Sequence, residues 1–310
     1  MKRNKTMRLA SVLAVAVLMS TCMISGTFAK YVTGGEAADT ARVAKWGMTV
    51  LASGSLFGEN YVPNSADASK DEISAGALQS VDTSVATENI VAPGTKNSTG
   101  LTLAVKGTPE VAFSVLYENQ DTPNETIWLN AGHYAVLVET DRVTADNFAG
   151  YYYNDGGTYK LADGSETFAD LGSDWYEIHD ITEVTENEAG DGKYYPILWT
   201  VSKNGTTGTL DTATYRDIAD VETALEGEFT AATNNPNVLL DDSYTITWAW
   251  DFTGQQDGAD TILGNLMAAG DNYVVVESAD DTYATASAVA AEDYNLDVAF
   301  GAKLTVTQID

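Results

Sequence analysis

The sequence predicts an all-β protein, a β-sandwich or jelly roll with an inserted hairpin and helix region, preceded by a signal-peptide helix. Three observations carry this expectation. Apolar and polar residues alternate with period two in many separate segments, the pattern of half-buried strands. Those segments are joined by Gly, Asn and Asp turns, and only one long stretch shows a helical period. A hydrophobic content of 44 % is ample for a core in a chain of 310 residues, a length that suits one large all-β domain or two smaller ones.

The chain opens with Lys2, Arg3, Lys5 and Arg8, followed by the apolar run from Leu9 to Phe28. Thr27-Phe28-Ala29 places small residues at −3 and −1 of a cut between Ala29 and Lys30, the layout of a secretory signal peptide. The rival is an uncleaved anchor, since about 20 apolar residues can span a bilayer; Gly26 and the small residues beside it favour cleavage. The single cysteine, Cys22, lies in the discarded segment, so the mature chain 30–310 relies on its core or on assembly for stability.

Along that chain the strand expectations are Val43–Leu51, Thr99–Lys106, Val111–Glu118, Tyr134–Glu139, Pro196–Val201 and Asn272–Glu277. In SYTITWAWDF the residues Tyr244, Ile246, Trp248, Trp250 and Phe252 share one side. A last strand is expected where Tyr294, Leu296, Val298, Phe300, Ala302, Leu304 and Val306 occupy every second place. Residues 30–41 and 53–90 lack such patterning and read as a flexible N-terminal segment and a long loop. Tyr215, Ile218, Val221, Leu225 and Phe229 recur at helical steps, predicting a helix over Thr212–Phe229 capped by Asp211 or Thr212. A shorter helix is expected in Asp260–Met267. Residues 155–191 hold 11 acids and one base, Lys160, and read as exposed hairpins within an insertion over about 119–240 rather than as a separate domain.

Charge narrows the partners. The net charge is −29, and the first 29 residues contribute four bases and no acid, leaving 12 bases against 45 acids, a net −33. Such a field repels nucleic-acid phosphates and anionic headgroups, so no nucleic-acid partner is expected and the membrane enters only during export. The chain has two histidines, His133 and His179, and no HExxH, no GxSxG elbow and no phosphate loop. No catalytic and no cofactor-binding residue is assigned, and no enzyme activity is expected. Calcium is the one cofactor the acidic turns admit, with Asp155, Asp163, Asp257 and Asp260 as candidate ligands against the plainer reading of a solvated acidic face. The aromatics Tyr151-Tyr152-Tyr153, Trp175-Tyr176 and Tyr194-Tyr195 fit core strands covered on both faces, or a glycan-stacking surface.

Three segments, GTFAKYVT at the cut, ARVAKWGMTVLA, and IVAPGTKNSTGLTLAVKGTPEVAFSVLYE with its Pro93-Gly94 turn, resemble the TasA/camelysin family. These are secreted biofilm-matrix fibre proteins of Gram-positive bacteria whose signal peptides are cut by a SipW-type peptidase. The C-terminal WAWDF, DTILGN and LTVTQID are similar to other SipW-dependent proteins, so the resemblance covers about 10–118 and 240–310. It implies a jelly roll located in the extracellular matrix or at the cell surface, a homopolymer that takes in other matrix components and grows by strand donation. The donor is then Tyr31, Val32 and Thr33, extending toward Ala41, although Gly34-Gly35 departs from a tight strand. No zinc motif is present to carry over the peptidase activity ascribed to camelysin. A second expectation from the residues themselves is a surface adhesin or glycan-binding module that uses the acidic, aromatic segment 151–199.

Overall fold

Strands dominate the computed structural model, which describes residues 44–57, 62–63, 91–119, 124–204, 210–231, 239–250, 256–268 and 273–309. In chain order they are β1 (Met48–Gly54), β2 (Val62–Pro63), β3 (Thr95–Gly107), β4 (Phe113–Asn119), β5 (Trp128–Asn130), β6 (Gly132–Glu139), β7 (Tyr152–Asp155), β8 (Thr158–Leu161) and β9 (Trp175–Val184). There follow β10 (Lys193–Tyr194), β11 (Ile197–Asn204), β12 (Thr212–Tyr215), helix α1 (Ile218–Ala231), β13 (Leu240–Trp250) and helix α2 (Asp257–Met267). The chain then runs through β14 (Tyr273–Ser278), β15 (Thr285–Ala288), β16 (Tyr294–Asn295) and β17 (Ala302–Gln308). The all-β class expected from the alternation is the class observed.

The main sheet is antiparallel, in the order β1-β3-β13-β11-β12 with β2 also on β3. In β13 the alternation is complete: Leu240, Asp242, Tyr244, Ile246, Trp248 and Trp250 are buried and the residues between them are not. Trp248 faces Trp199 across the ladder, and Ile246 faces Val201, so one sheet face is lined with large side chains. Helix α1 covers that face with Val221, Leu225 and Phe229, and the Phe229 ring meets Tyr244 edge-on at 4.7 Å and stacks on Tyr117 of β4 at 6.1 Å.

The helix starts later than its periodicity suggests. Thr212–Tyr215 is β-branched and aromatic, and it pairs with β11 as an edge strand, Tyr215 opposite Trp199. Asp217 then caps the helix, its Oδ1 accepting the Ala219 N–H at 3.1 Å. A buried ion pair clamps α1 to the sheet: Lys203 Nζ lies 2.7 Å from Glu228 Oε2, with side chains only 5 % and 8 % exposed. Glu228 also accepts the Leu210 N–H at 2.9 Å and the Tyr244 hydroxyl at 3.2 Å.

The acidic segment is not a set of free hairpins. Strands β7, β8 and β9 close a six-stranded barrel in the order β14-β15-β8-β7-β9-β6, completed by β6 upstream and by β14 and β15 more than 80 residues downstream of the segment. The hairpin turn at Asp155-Gly156-Gly157 is present, but Ala135, Leu137, Tyr152, Tyr159, Val276, Tyr283 and Ala286 form a small core inside the barrel. Period two explains how β6 and β14 serve two cores: Tyr134, Val136 and Val275 join the main core while Ala135, Leu137 and Val276 point into the barrel.

The C-terminal alternation breaks into pieces. Tyr294–Asn295 pairs with β5, Ala299 bridges Glu125, and β17 pairs with β4 in a two-stranded sheet. Side-chain amides interrupt the strand: Asn295 Nδ2 donates to the Thr126 and Asp297 carbonyls, and Asn124 Oδ1 accepts the Gly301 N–H. At the other end, Lys45 and Glu110 exchange hydrogen bonds while the Ile309 N–H bonds the Ala112 carbonyl at 3.0 Å. The described residues, from Ala44 onward, form one compact unit.

Candidate functional site

Two features stand out as surfaces that can act on something outside the subunit. The first is the edge strand β1. It pairs in unbroken register with β3, from Met48 opposite Gly107 to Gly54 opposite Leu101, and no strand among the described residues pairs with its outer edge. Every residue after Met48 is exposed, Val50 at 39 % and Leu51 at 49 %. A long edge with exposed β-branched and aliphatic residues is a template for another strand. The β3 side of this edge is shaped by glycine. Gly100 has φ +72, and a Cβ there would sit 2.2 Å from the Ile246 carbonyl oxygen, at the register shift between Ile246 and Trp248. Asn97 Oδ1 closes the bulge by accepting the Thr99 and Gly100 N–H groups.

The second feature is a pocket of about 400 Å³ between α2, the end of β13, the strand approach at Val91–Pro93 and the C-terminal stretch at Leu296–Val298. Helix α2 buries Ala259, Ile262, Leu263 and Leu266, at helical steps, which sets Asp260 beside the cavity. Asp260 Oδ1 accepts the Tyr194 hydroxyl at 2.9 Å and the Trp250 indole N–H at 3.0 Å. Burial pushes the Asp260 carboxyl from 3.8 up to about 6, against the pull of those two donors, and Asp257 raises it further. The Tyr194 hydroxyl is raised in turn, first by burial and then by the Asp260 charge.

No family model, curated protein or solved structure matches the chain.

A second concavity, polar and about 410 Å³, lies around Trp128, Glu222 and Asn295, but the ammonium of Lys193 sits 3.8 Å over the Trp128 ring. The candidate calcium ligands do not converge. Asp155 sits on the β7–β8 turn in a 2.5 Å ion pair with Lys160; Asp163 accepts the Ser165 N–H in the following loop; Asp257 and Asp260 lie in the first turn of α2. Among the described residues no group of three or more His, Cys, Asp or Glu is placed to hold a metal ion. His133 meets the Tyr283 ring edge-on, and exposed His179 is the extra residue of a bulge between β6 and β9.

The consecutive aromatics are largely interior. Trp175 is 4 % exposed and packs with Phe148, Tyr153 and Phe168, while Tyr152, Tyr194 and Tyr195 are buried. Ala29 and Lys30 at the expected cut, and the donor residues Tyr31, Val32 and Thr33, lie outside the described residues. In the sequence Asp260 reads as one of several acidic turn residues, and its pocket does not show, because the walls come from five separate segments. The glycine in mid-helix, Gly264, was the one local sign of a space beside α2.

Proposed function

We propose that this protein is an exported, TasA-like structural subunit of extracellular matrix or surface fibres, assembling by strand addition rather than acting as an enzyme. The observation that carries the reading is the outer edge of β1, seven residues long, exposed and without a strand partner among the described residues. An incoming strand gains main-chain hydrogen bonds along that edge and register from alternate side chains. The resemblance of the N-terminal third to the TasA/camelysin family supplies the donor, Tyr31-Val32-Thr33 of a neighbouring subunit after cleavage at Ala29. A net charge of −33 on the mature chain opposes assembly at low ionic strength, so salt, acid or divalent ions promote it.

The test is electron microscopy and sedimentation of the mature chain beginning at Lys30, beside a chain lacking residues 30–41 and a Leu51→Lys variant. Fibres are expected only from the first. Lysine on an exposed edge blocks pairing without touching the core, so Leu51→Lys keeps its melting temperature. A mature chain that stays monomeric at high concentration, in high salt and with calcium, overturns the reading.

A further inference from the structure

The pocket beside α2 is an apolar space with charge of one sign only. Leu263, Met267, Leu296 and Val298 line it together with two carboxylates, Asp260 inside and exposed Asp297, and no Lys, Arg or His is among its lining residues. The Asp260 carboxylate is held in place from one side: Tyr194 and Trp250 both donate to Oδ1, while Oδ2 accepts no hydrogen bond among the described residues. A carboxylate accepts and does not donate, so what completes it is a donor, and the strongest is a cation.

Gly264 points the same way. It sits in the middle of α2, where glycine weakens a helix, and packing does not demand it: a Cβ there would meet nothing within 4 Å. Gly258, on the same helix, is different, since its Cβ would run into Thr182. The space in front of Gly264 is part of the pocket.

We propose that this pocket binds an apolar primary ammonium compound, its hydrocarbon part in the cavity and its –NH3+ group on Asp260. The ammonium has three donors and no acceptor, which matches a carboxylate with an open oxygen and a second carboxylate nearby. An alcohol of equal length fills the same space without the charge, and a carboxylic acid is repelled. The geometry is independent of the β1 edge, so the pocket stands or falls apart from fibre assembly.

The experiment is isothermal titration calorimetry of the mature protein at pH 8 with hexylamine, 1-hexanol and hexanoate as probes. Hexylamine is expected to bind at least tenfold tighter than hexanol, with hexanoate silent. Asp260→Asn keeps an acceptor for Tyr194 and Trp250, so it folds, and it should cost the amine tenfold or more while leaving hexanol unchanged. Gly264→Leu, whose Cβ meets nothing within 4 Å, puts a side chain into the cavity and should abolish binding of both amine and alcohol, with a melting temperature no lower than wild type. Equal affinities for amine and alcohol, retention of amine binding in Asp260→Asn or in a folded Gly264→Leu, or no heat from hexylamine at 10 mM (a probe concentration on the order of the weakest useful affinity), each overturns the proposal.

Discussion

Removing one partner of the Lys203–Glu228 pair should be the most damaging polar substitution in the fold. Both side chains are over nine-tenths buried and 2.7 Å apart, and Glu228 holds the Leu210 N–H and the Tyr244 hydroxyl as well. Glu228→Gln leaves the Lys203 ammonium buried without its counter-charge, a loss of about 3–5 kcal/mol in comparable pairs. At about 2–4 °C per kcal/mol for a domain near this size, the melting temperature falls by roughly 10 °C. Lys203→Met leaves the carboxylate with the Leu210 and Tyr244 donors among its partners and should cost somewhat less. The double variant Lys203→Met/Glu228→Gln removes both charges, keeps a carbonyl oxygen for the Leu210 N–H and turns an NH2 donor to the Tyr244 hydroxyl, which can accept it. It should therefore recover to within about 1 kcal/mol of wild type, since a buried pair contributes little beyond its neutral replacement. Thermal melts of the four proteins at pH 7 decide the matter. Single variants within about 1 kcal/mol of wild type, or a double variant whose loss equals the sum of the two, would refute the clamp.

Asp260 should make folding weaker as pH rises. Its folded carboxyl titrates near 6 instead of 3.8, so the folded state holds the proton more tightly. The stabilisation is full below about pH 4 and lost through pH 6, worth about 3 kcal/mol at 1.36 kcal/mol per pH unit. The difference in stability between wild type and Asp260→Asn, followed by urea titration from pH 4 to 8, should trace that step; a flat difference contradicts it. Gly100→Ala places a Cβ 2.2 Å from the Ile246 carbonyl oxygen at φ +72 and should cost about 2 kcal/mol or more, read as a lower urea midpoint. Trp175→Ala empties the centre of the Phe148–Tyr153–Phe168 cluster and should lower stability by about 3–5 kcal/mol in the same assay, the signature of a core residue.

Strand positions were legible wherever one face was apolar: β13 follows its alternation residue by residue, and β3, β4, β6, β11 and β14 fall within the stretches that predicted them or extend those by a few residues. Reading failed where tertiary pairing competed with local period. Thr212–Tyr215 fits the helical spacing of Tyr215 and Ile218, but β11 offers its edge and the β-branched residues take it. The C-terminal run looks like one strand because nothing in its pattern announces that Asn295 and the distant Asn124 will bond across it. The acidic segment looked like solvent-exposed hairpins because its acids face outward from a barrel whose closing strands come after residue 272. The β1 edge was legible as a strand but not as an edge, and the α2 pocket was not legible, since Tyr194, Trp250 and Asp260 have no characteristic spacing.

The short connector at 110–112 holds both ends of the folded unit, Lys45 through Glu110 and Ile309 through Ala112. Whatever chain precedes Ala44 must leave from the same pole at which anything attached after Ile309 leaves. A polymer grown through the N-terminal segment would then carry a cargo fused to the C-terminus at every subunit junction rather than along its flanks. A bulky C-terminal fusion should cap growth, while a short one should decorate the fibre at one-subunit intervals. The same proximity makes the folded unit suited to circular permutation, joined at this pole and opened in the β7–β8 turn.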